Sequence, residues 1–440
     1  MSVEAVARFA ADTRWVDLPE PVRARMRVAL TDTVGCILAG RKTAAYAAAS
    51  TAADRIGGSA LQAFALAVAA SALDFDDGHY EGGGVHLGSV ILPALLASTS
   101  GETTAKQLLE ALAVGYEIAI RAGYLLAPRA ASDPYHTSGA PTCLGAAAAV
   151  ARLIGLGAAG IRRAVRIASA HAPLATLQLP MVKESIGWGA ATAVGAAQLA
   201  AAGFDGSDHA VQVAPILGIA PTPFDGVKAQ ESFVARLGQD WQSPAAYLKP
   251  YPCCRAIHAA LDATVFILRE TGWNGDAVAR VDIATMPGVD ALNFLPPVSP
   301  EHAQFSFPFA IGCLLTNGAV QPSAFLERNW TNPAILEAGS RVVLTTDAGL
   351  GDRASSQSYA AAVTITVGGA QRQLRVDHAL GSVAQPLPTS AIAAKFLGNA
   401  GLAMSAPAAA ALLQQLDGSL VGIDVAALTL FLTQPMEFLP

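Results

Sequence analysis

Charge is in short supply in this chain. Only 28 of its 440 residues are Lys or Arg and 34 are Asp or Glu, 14% together, and the net charge is −6. With a pI of about 5.8 and no basic stripe, the chain has no electrostatic footprint for nucleic acid, and no such partner is expected. Cysteine is sparse too. Cys36, Cys143, Cys253, Cys254 and Cys313 form an odd set without CxxC spacing. That set supplies neither a disulfide framework nor a zinc site and points to a reducing compartment, the cytoplasm. No apolar h-region follows the start, so no signal peptide is expected. Mean hydropathy is +0.40, yet the longest apolar run, 187–204, is mostly Ala and Gly and carries Gln198. A membrane span needs about 20 residues of stronger hydrophobicity, so a buried helix is expected there and no membrane partner. GxGxxG after a strand, the P-loop, GxSxG and HExxH are all missing. The sequence therefore demands no cofactor and no metal.

What the chain does have is apolar mass, with 52% hydrophobic residues. At 440 residues it exceeds the size at which single cores stop growing, and two domains are expected. The first half reads as helix after helix. Val22, Met26, Ala29, Leu30, Val34, Ile37 and Leu38 fall on one face at helical spacing, with Pro21 at a first turn and Gly40 as a stop. Segments 105–121, 143–155, 158–171 and 189–202 behave alike. Their alanine content predicts close helix approach.

Near Tyr247 the character changes. Pro250 and Pro252 punctuate a loop, a helix is expected over 255–270, and then the period becomes two at Val281, Ile283 and Thr285. Val363, Ile365 and Val367 alternate before Gly368-Gly369, and 371–376 follow as the second arm of a hairpin. The expected fold is mainly α with an inserted α+β domain. Residues 1–246 and 389–440 build an all-helical domain, and 247–388 a smaller α+β domain. So few charges also suggest a large oligomer interface.

Proton-transfer groups gather in a few places. Asp74-Phe75-Asp76-Asp77-Gly78-His79-Tyr80, with His86 beyond, crowds carboxylates and histidines between apolar segments. Such a cluster is either a capping and salt-bridge network or a site, and residue types alone leave both open. His136, in Tyr135-His136-Thr137-Ser138-Gly139, is a general base or a helix-end hydrogen bonder. Lys183 enters an apolar helix, where burial makes a lysine a base or an anion clamp; the alternative is a snorkelling surface lysine. Lys249-Pro250-Tyr251-Pro252-Cys253-Cys254-Arg255-Ala256-Ile257-His258 is the densest polar group, with Arg255 suited to carboxylate binding and His258 one helical turn on. His302 and Gln304 form a fifth place. His378 beside Asp377 is expected to be structural, and Gly82-Gly83-Gly84, with no strand expected before it, a flexible loop.

Several blocks resemble the MmgE/PrpD family in order: DTVGCILAG (32–40), ALDFDDGHY and HLGSVILPALLA (72–97), GYEIAIRAG (115–123), YHTSGAPTCLGAAAAVARLIGL (135–156), KESIGWGAATAVGAAQLAAAGFDG (183–206), KPYPCCRAIHAALDA (249–263), SPEHAQFSFPFAIGCLLTNG (299–318) and PLPTSAIAAKF (386–396). The resemblance implies a homodimer with its site between a helical and an α+β domain. It implies enzymes acting on small polycarboxylates without a redox cofactor: 2-methylcitrate dehydratases, cis-aconitate decarboxylases and iminodisuccinate epimerases. It places Asp74, His86, His136, Lys183 and Lys249 at active-site positions. The chain departs from the decarboxylases in carrying Cys254 in place of a histidine, Gly78 in place of a threonine, two extra residues before His86, and Phe309 in place of a tyrosine. It looks more similar to the compact epimerase branch. The expected catalytic set is His86, His136, Lys183, Asp74, Cys254 and Tyr80. Lys249, Arg255, His258 and Gln304 are expected to bind the substrate.

Overall fold

The computed structural model describes residues 2–126, 135–136, 139–173, 175–176, 183–206, 236–351, 358–418 and 420–434. Its first part is helical: α1 (Ser2–Asp12), α2 (Glu20–Gly40), α3 (Ala44–Ile56) and α4 (Ser59–Ser71). A short hairpin follows, β1 (Gly78–His79) with β2 (Val85–His86), and then α5 (Gly88–Leu96) and α6 (Ala105–Leu126). β3 (Tyr135–His136) pairs with β4 (Ala175–Thr176), and between them lie α7 (Ala140–Leu153) and α8 (Gly157–His171). The expected run near 189–202 begins earlier, as α9 (Lys183–Ala201). Among the described residues no helix is long and apolar enough to cross a membrane.

Small residues set the packing. The α2 residues from Ala29 to Gly40 are all buried, so this helix runs through the core rather than over it. Gly40, expected as a stop, is instead the last helical residue. A Cβ there would lie 1.8 Å from the Ala69 carbonyl oxygen of α4, so glycine is required by the closeness of two backbones, and the helix ends with it, capped by Arg41. Glycine does the same where α6 meets α7, a Cβ at Gly145 lying 2.2 Å from the Gly115 carbonyl oxygen, and on α9 Gly187 leaves room for the Phe64 ring of α4.

After the crossing segment 243–257 come α10 (His258–Thr271), β5 (Val278–Thr285), α11 (Pro300–Gln304), α12 (Phe307–Asn317), α13 (Pro333–Gly339), β6 (Val342–Thr346), β7 (Ala361–Val367) and β8 (Ala370–Val376). The sheet order is β6-β5-β7-β8, with β5 and β6 parallel and the other pairs antiparallel. Val281, Ile283 and Thr285 point to the core, as period two requires, and Val278 joins them across a register shift before Arg280. Gly368 and Gly369 both take positive φ, the backbone a two-residue hairpin turn needs. β6 carried no expectation, because its half-exposed residues at the sheet edge show no alternation. The chain closes with α14 (Thr389–Ala400), α15 (Ala406–Asp417) and α16 (Val425–Thr433). α14 and α15 pack on α2, and α16 on α4. Arg27 Nη1 donates to the Gly418 carbonyl at 3.0 Å, and Arg41 donates to the carbonyls of Phe431 and Gln434.

Candidate active site

The hairpin β1–β2 gains a neighbour on its open edge. Tyr247 N–H donates to Gly78 O at 2.8 Å, and Gly78 N–H to Tyr247 O at 3.3 Å. Leu248 N–H in turn reaches Gly381 O at 2.9 Å. Segment 247–249 is thus sewn between the hairpin and the 381 turn. Gly78 is opposite both His86 and Tyr247. Side chains alternate along extended backbone, so His86, Tyr80, Tyr247 and Lys249 share one face. The Gly82-Gly83-Gly84 run does follow a strand, and forms the turn of this hairpin. Gly84 N–H bonds His79 O at 2.9 Å and Gly83 N–H bonds Tyr80 O at 2.8 Å.

Asp74 lies at the centre, buried, with φ 49°. Lys249 Nζ stands 3.1 Å from its Oδ2 and donates to its backbone carbonyl at 2.9 Å; Lys183 Nζ stands 3.4 Å from Oδ1. Burial alone would raise the Asp74 pKa, but Lys249, Lys183 and His86 outweigh it and hold the carboxyl well below the carboxylate range. Burial works against the Lys249 ammonium, yet Asp74 and Asp76 raise its pKa above the usual lysine value. Lys249 is therefore a fixed cation. Lys183 is buried as well, its Nζ 5.9 Å above the Phe305 ring, so it is not the snorkelling surface lysine.

Asp76 Oδ2 lies 2.7 Å from His86 Nδ1. Burial would push Asp76 up, but His86 brings it down to about 2, so it is an ionised acceptor. Nδ1 must then carry the hydrogen, and the basic lone pair of a neutral His86 falls to Nε2. Thr142 Oγ1 donates to the His86 carbonyl at 2.9 Å and ties β2 to α7.

The acidic cluster divides between its two readings. Asp74, Asp76 and His86 form the polar centre. Asp77 is structural: it accepts Gly88 N–H at 2.8 Å at the start of α5, Tyr116 Oη at 2.9 Å, and Arg25 Nη2 at 2.9 Å. His79 is structural too. Its Nδ1 accepts Gly82 N–H at 3.1 Å, so Nε2 carries the hydrogen toward Gln242 O at 3.2 Å. Burial lowers its pKa to about 4.

Two expected substrate ligands turn out to be enclosed. Arg255 donates to Tyr80 Oη at 2.6 Å, Leu380 O at 2.7 Å, Ala379 O at 3.1 Å and His258 Nδ1 at 3.0 Å. His258 Nε2 meets Cys253 O at 3.1 Å, so neither ring nitrogen is offered to a ligand. Both are held for the same reason: backbone carbonyls, a tyrosine hydroxyl and an imidazole engage their polar groups. Gln304 is buried; its Nε2 donates to Ala72 O at 2.8 Å, while Oε1 has no partner among the described residues. Cys254 is half-buried, holds no disulfide, donates its N–H to Gln304 O at 2.9 Å, and interacts electrostatically with Lys249. The His136 backbone pairs with Ala175; its side chain lies outside the described residues. His302 stacks on Phe294, centroids 4.8 Å apart, and His378 is exposed.

Gly78 has a local reason. A Cβ there would come within 2.3 Å of Tyr247 Oη and 2.7 Å of Val85 O, so the Tyr247 ring bars the threonine of the family pattern. Phe309 is fully buried against Phe325.

Residue-level reading missed one group altogether. Lys395, on α14, stands 2.7 Å from Asp32 Oδ1 and donates to the Phe75 carbonyl at 2.7 Å, 4.0 Å above the Phe75 ring. It holds the loop between Asp74 and Asp76. Its only sequence signal was membership of the 386–396 block.

Carboxylate oxygens of Asp74 and Asp76 and a ring nitrogen of His86 lie within 4.8 Å of one another, a spacing open to a cation. Lys183 and Lys249 already neutralise Asp74, and a metal ion there would face both ammonium groups at close range. The donor set fits anion chemistry better. Two cations, Lys183 and Lys249, stand with two carboxylates, Asp74 and Asp76, since Arg25 offsets Asp77 and Lys395 offsets Asp32. Arg255 adds a further buried cation, with Asp262 coupled to its charge.

Residues 4–228 match the MmgE/PrpD N-terminal domain and residues 251–417 the MmgE/PrpD C-terminal domain. Cis-aconitate decarboxylase from Homo sapiens is 26% identical over 299 residues, 64% of this chain. The match spans 60% of that relative's length.

Proposed function

The chain belongs to the MmgE/PrpD family, and on that premise we propose that it removes and returns the proton next to a carboxylate of a small di- or tricarboxylate, as an epimerase of the iminodisuccinate type. The observation that carries this reading is the pairing of two units in one buried centre: His86 oriented by Asp76 at 2.7 Å, and Asp74 flanked by Lys249 and Lys183 at 3.1 and 3.4 Å. An imidazole held at Nδ1 presents Nε2 as a general base. The adjacent ammonium groups attract substrate carboxylates and stabilise the enolate-like charge left when the proton departs. Proton removal and return leaves the oxidation state of the substrate unchanged, so no redox cofactor enters the proposal.

Epimerisation requires proton exchange on both faces of one carbon. Tyr80, Cys254 and His136 are the candidates for the second face, and Cys254 interacts with the charge of Lys249. The likeness to cis-aconitate decarboxylase favours a second reading, a lyase. There the same base starts the reaction and a β-hydroxyl or a carboxylate leaves.

The test is incubation with methylcitrate, cis-aconitate and iminodisuccinate in deuterated water. We expect α-deuterium in iminodisuccinate, racemisation of a pure stereoisomer, and loss of both by about 100-fold or more in His86→Asn. Absorbance of a conjugated acid, or release of CO2, with no deuterium in recovered substrate would replace the epimerase with the lyase. No turnover and no exchange with any of the three would sink the reading.

A further inference from the structure

Arg255 is almost fully buried, and no carboxylate pairs with it among the described residues. All but one of its N–H donors are engaged: Nε by Tyr80 Oη, Nη1 by Leu380 O and His258 Nδ1, Nη2 by Ala379 O. The rings of Tyr247 and Tyr80 lie 5.2 and 5.8 Å from its guanidinium carbon. The acceptors are themselves fixed. Asp262 accepts Leu380 N–H at 2.7 Å and Tyr251 Oη at 2.8 Å, holding the 379–381 turn. His258 is kept neutral by burial and by the charge of Arg255, with its pKa well below the usual histidine value. A guanidinium pinned in this way cannot swing out to fork a substrate carboxylate.

It does leave one group directed. Arginine has no acceptor, so in the 2.6 Å contact Arg255 Nε–H donates and the Tyr80 oxygen accepts. The hydroxyl hydrogen of Tyr80 is not consumed by this bond and has no acceptor among the described residues. Tyr80 is half-buried and shares the hairpin face with His86 and Lys249. Burial raises its pKa above that of an ordinary tyrosine, with Arg255 opposing, so at neutral pH it is a donor and not a base.

We infer that Arg255 is a positioning residue that acts through Tyr80, and that Tyr80 is the acid facing the bound anion. The inference rests on the proposed proton chemistry. His86 takes the α-proton as the C–H bond breaks. The Tyr80 O–H bond then breaks and its proton forms the new C–H bond on the other face. The tyrosinate is stabilised by the Arg255 charge, and the proton held by His86 returns to Tyr80 through solvent, leaving the enzyme unchanged.

The experiment is a cycle of Tyr80→Phe, Arg255→Lys and the double variant. Tyr80→Phe should lower kcat about 100-fold with KM changed by less than about 3-fold. Arg255→Lys should lower kcat in the same way, and the double variant should fall no further than Tyr80→Phe. A readout independent of turnover is the alkaline tyrosinate absorbance, taken as the difference between each protein and its Tyr80→Phe partner. In the Arg255→Lys background the Tyr80 titration should move upward by about one pH unit. A KM rise of about 10-fold or more in Arg255→Lys with kcat retained, or additive losses in the double variant, would return Arg255 to substrate binding. If Arg255→Lys does not fold, Tyr80→Phe still decides, because it leaves the carbonyl cradle intact. A kcat within about 3-fold of wild type overturns the inference. Failure of deuterium exchange in the wild type would sink the proposed function, whereas an unmoved Tyr80 titration would sink only the Arg255 pairing.

Discussion

A single histidine shows how hydrogen-bond partners separate structural from chemical groups when both are buried. His79 stands seven residues from His86 in sequence, yet its nitrogens serve Gly82 and Gln242, and burial draws its pKa down to about 4. In the unfolded chain an imidazole takes up a proton near pH 6.5. Between those values the unfolded chain binds more protons than the folded one. Stability is then full above about pH 6.5 and falls as the pH drops toward 4, by about 3 kcal/mol for this residue. His258, lowered by burial and Arg255, acts in the same sense. Asp74 and Asp76 act in a lower window: their depressed pKa values add stability present above about pH 4 and lost as the pH approaches 2. Urea midpoints at pH 7 and pH 5 should drop for the wild type and drop less for His79→Gln. Equal drops would remove His79 from the account.

Elements meet where backbone and side chain cross long stretches of chain. α14 carries Lys395 to the Phe75 carbonyl, and so the last third of the molecule sets the loop that presents Asp74 and Asp76. Removing one partner of a buried pair strands the other. Lys395→Met should cost about 3 kcal/mol by leaving Asp32 alone, read as a lowered urea midpoint. Adding Asp32→Asn should recover much of that stability. It should not recover kcat of the proposed activity, because the Phe75 carbonyl is still unheld. Recovery of both would mean that α14 supports the fold and not the site.

The whole molecule leaves apolar groups at its surface. On α9, Trp188 is 50% and Leu199 47% exposed, while Phe64 of α4 packs edge-on against Trp188 with centroids 5.1 Å apart. A chain with so few charges has little else to keep such surfaces apart. We propose the homodimer on this ground and on family membership. Sedimentation equilibrium at micromolar concentration should give twice 44.9 kDa, and Trp188→Glu should weaken association. A stable monomer of the wild type would remove the proposal.

Local pattern was enough for much of this. Helical spacing from Val22 to Leu38, period two at Val281, Ile283 and Thr285, and the Gly368-Gly369 turn were legible because each depends on neighbours within a few residues. The blocks around Asp74, His86, Lys183 and Lys249 were legible as a resemblance. β6 was not, since a half-exposed edge strand carries no period. Nor were the roles inside the polar clusters. Asp74 and Asp77 are alike as residues, but one meets Lys249, 175 residues away, and the other meets Arg25 and Tyr116. Arg255 looked open to a ligand until the carbonyls of Ala379 and Leu380 closed on it, and Lys395 reached Phe75 across 320 residues. Desolvation and pairing decide what a charged group does, and both are set by atoms that only the folded chain brings near.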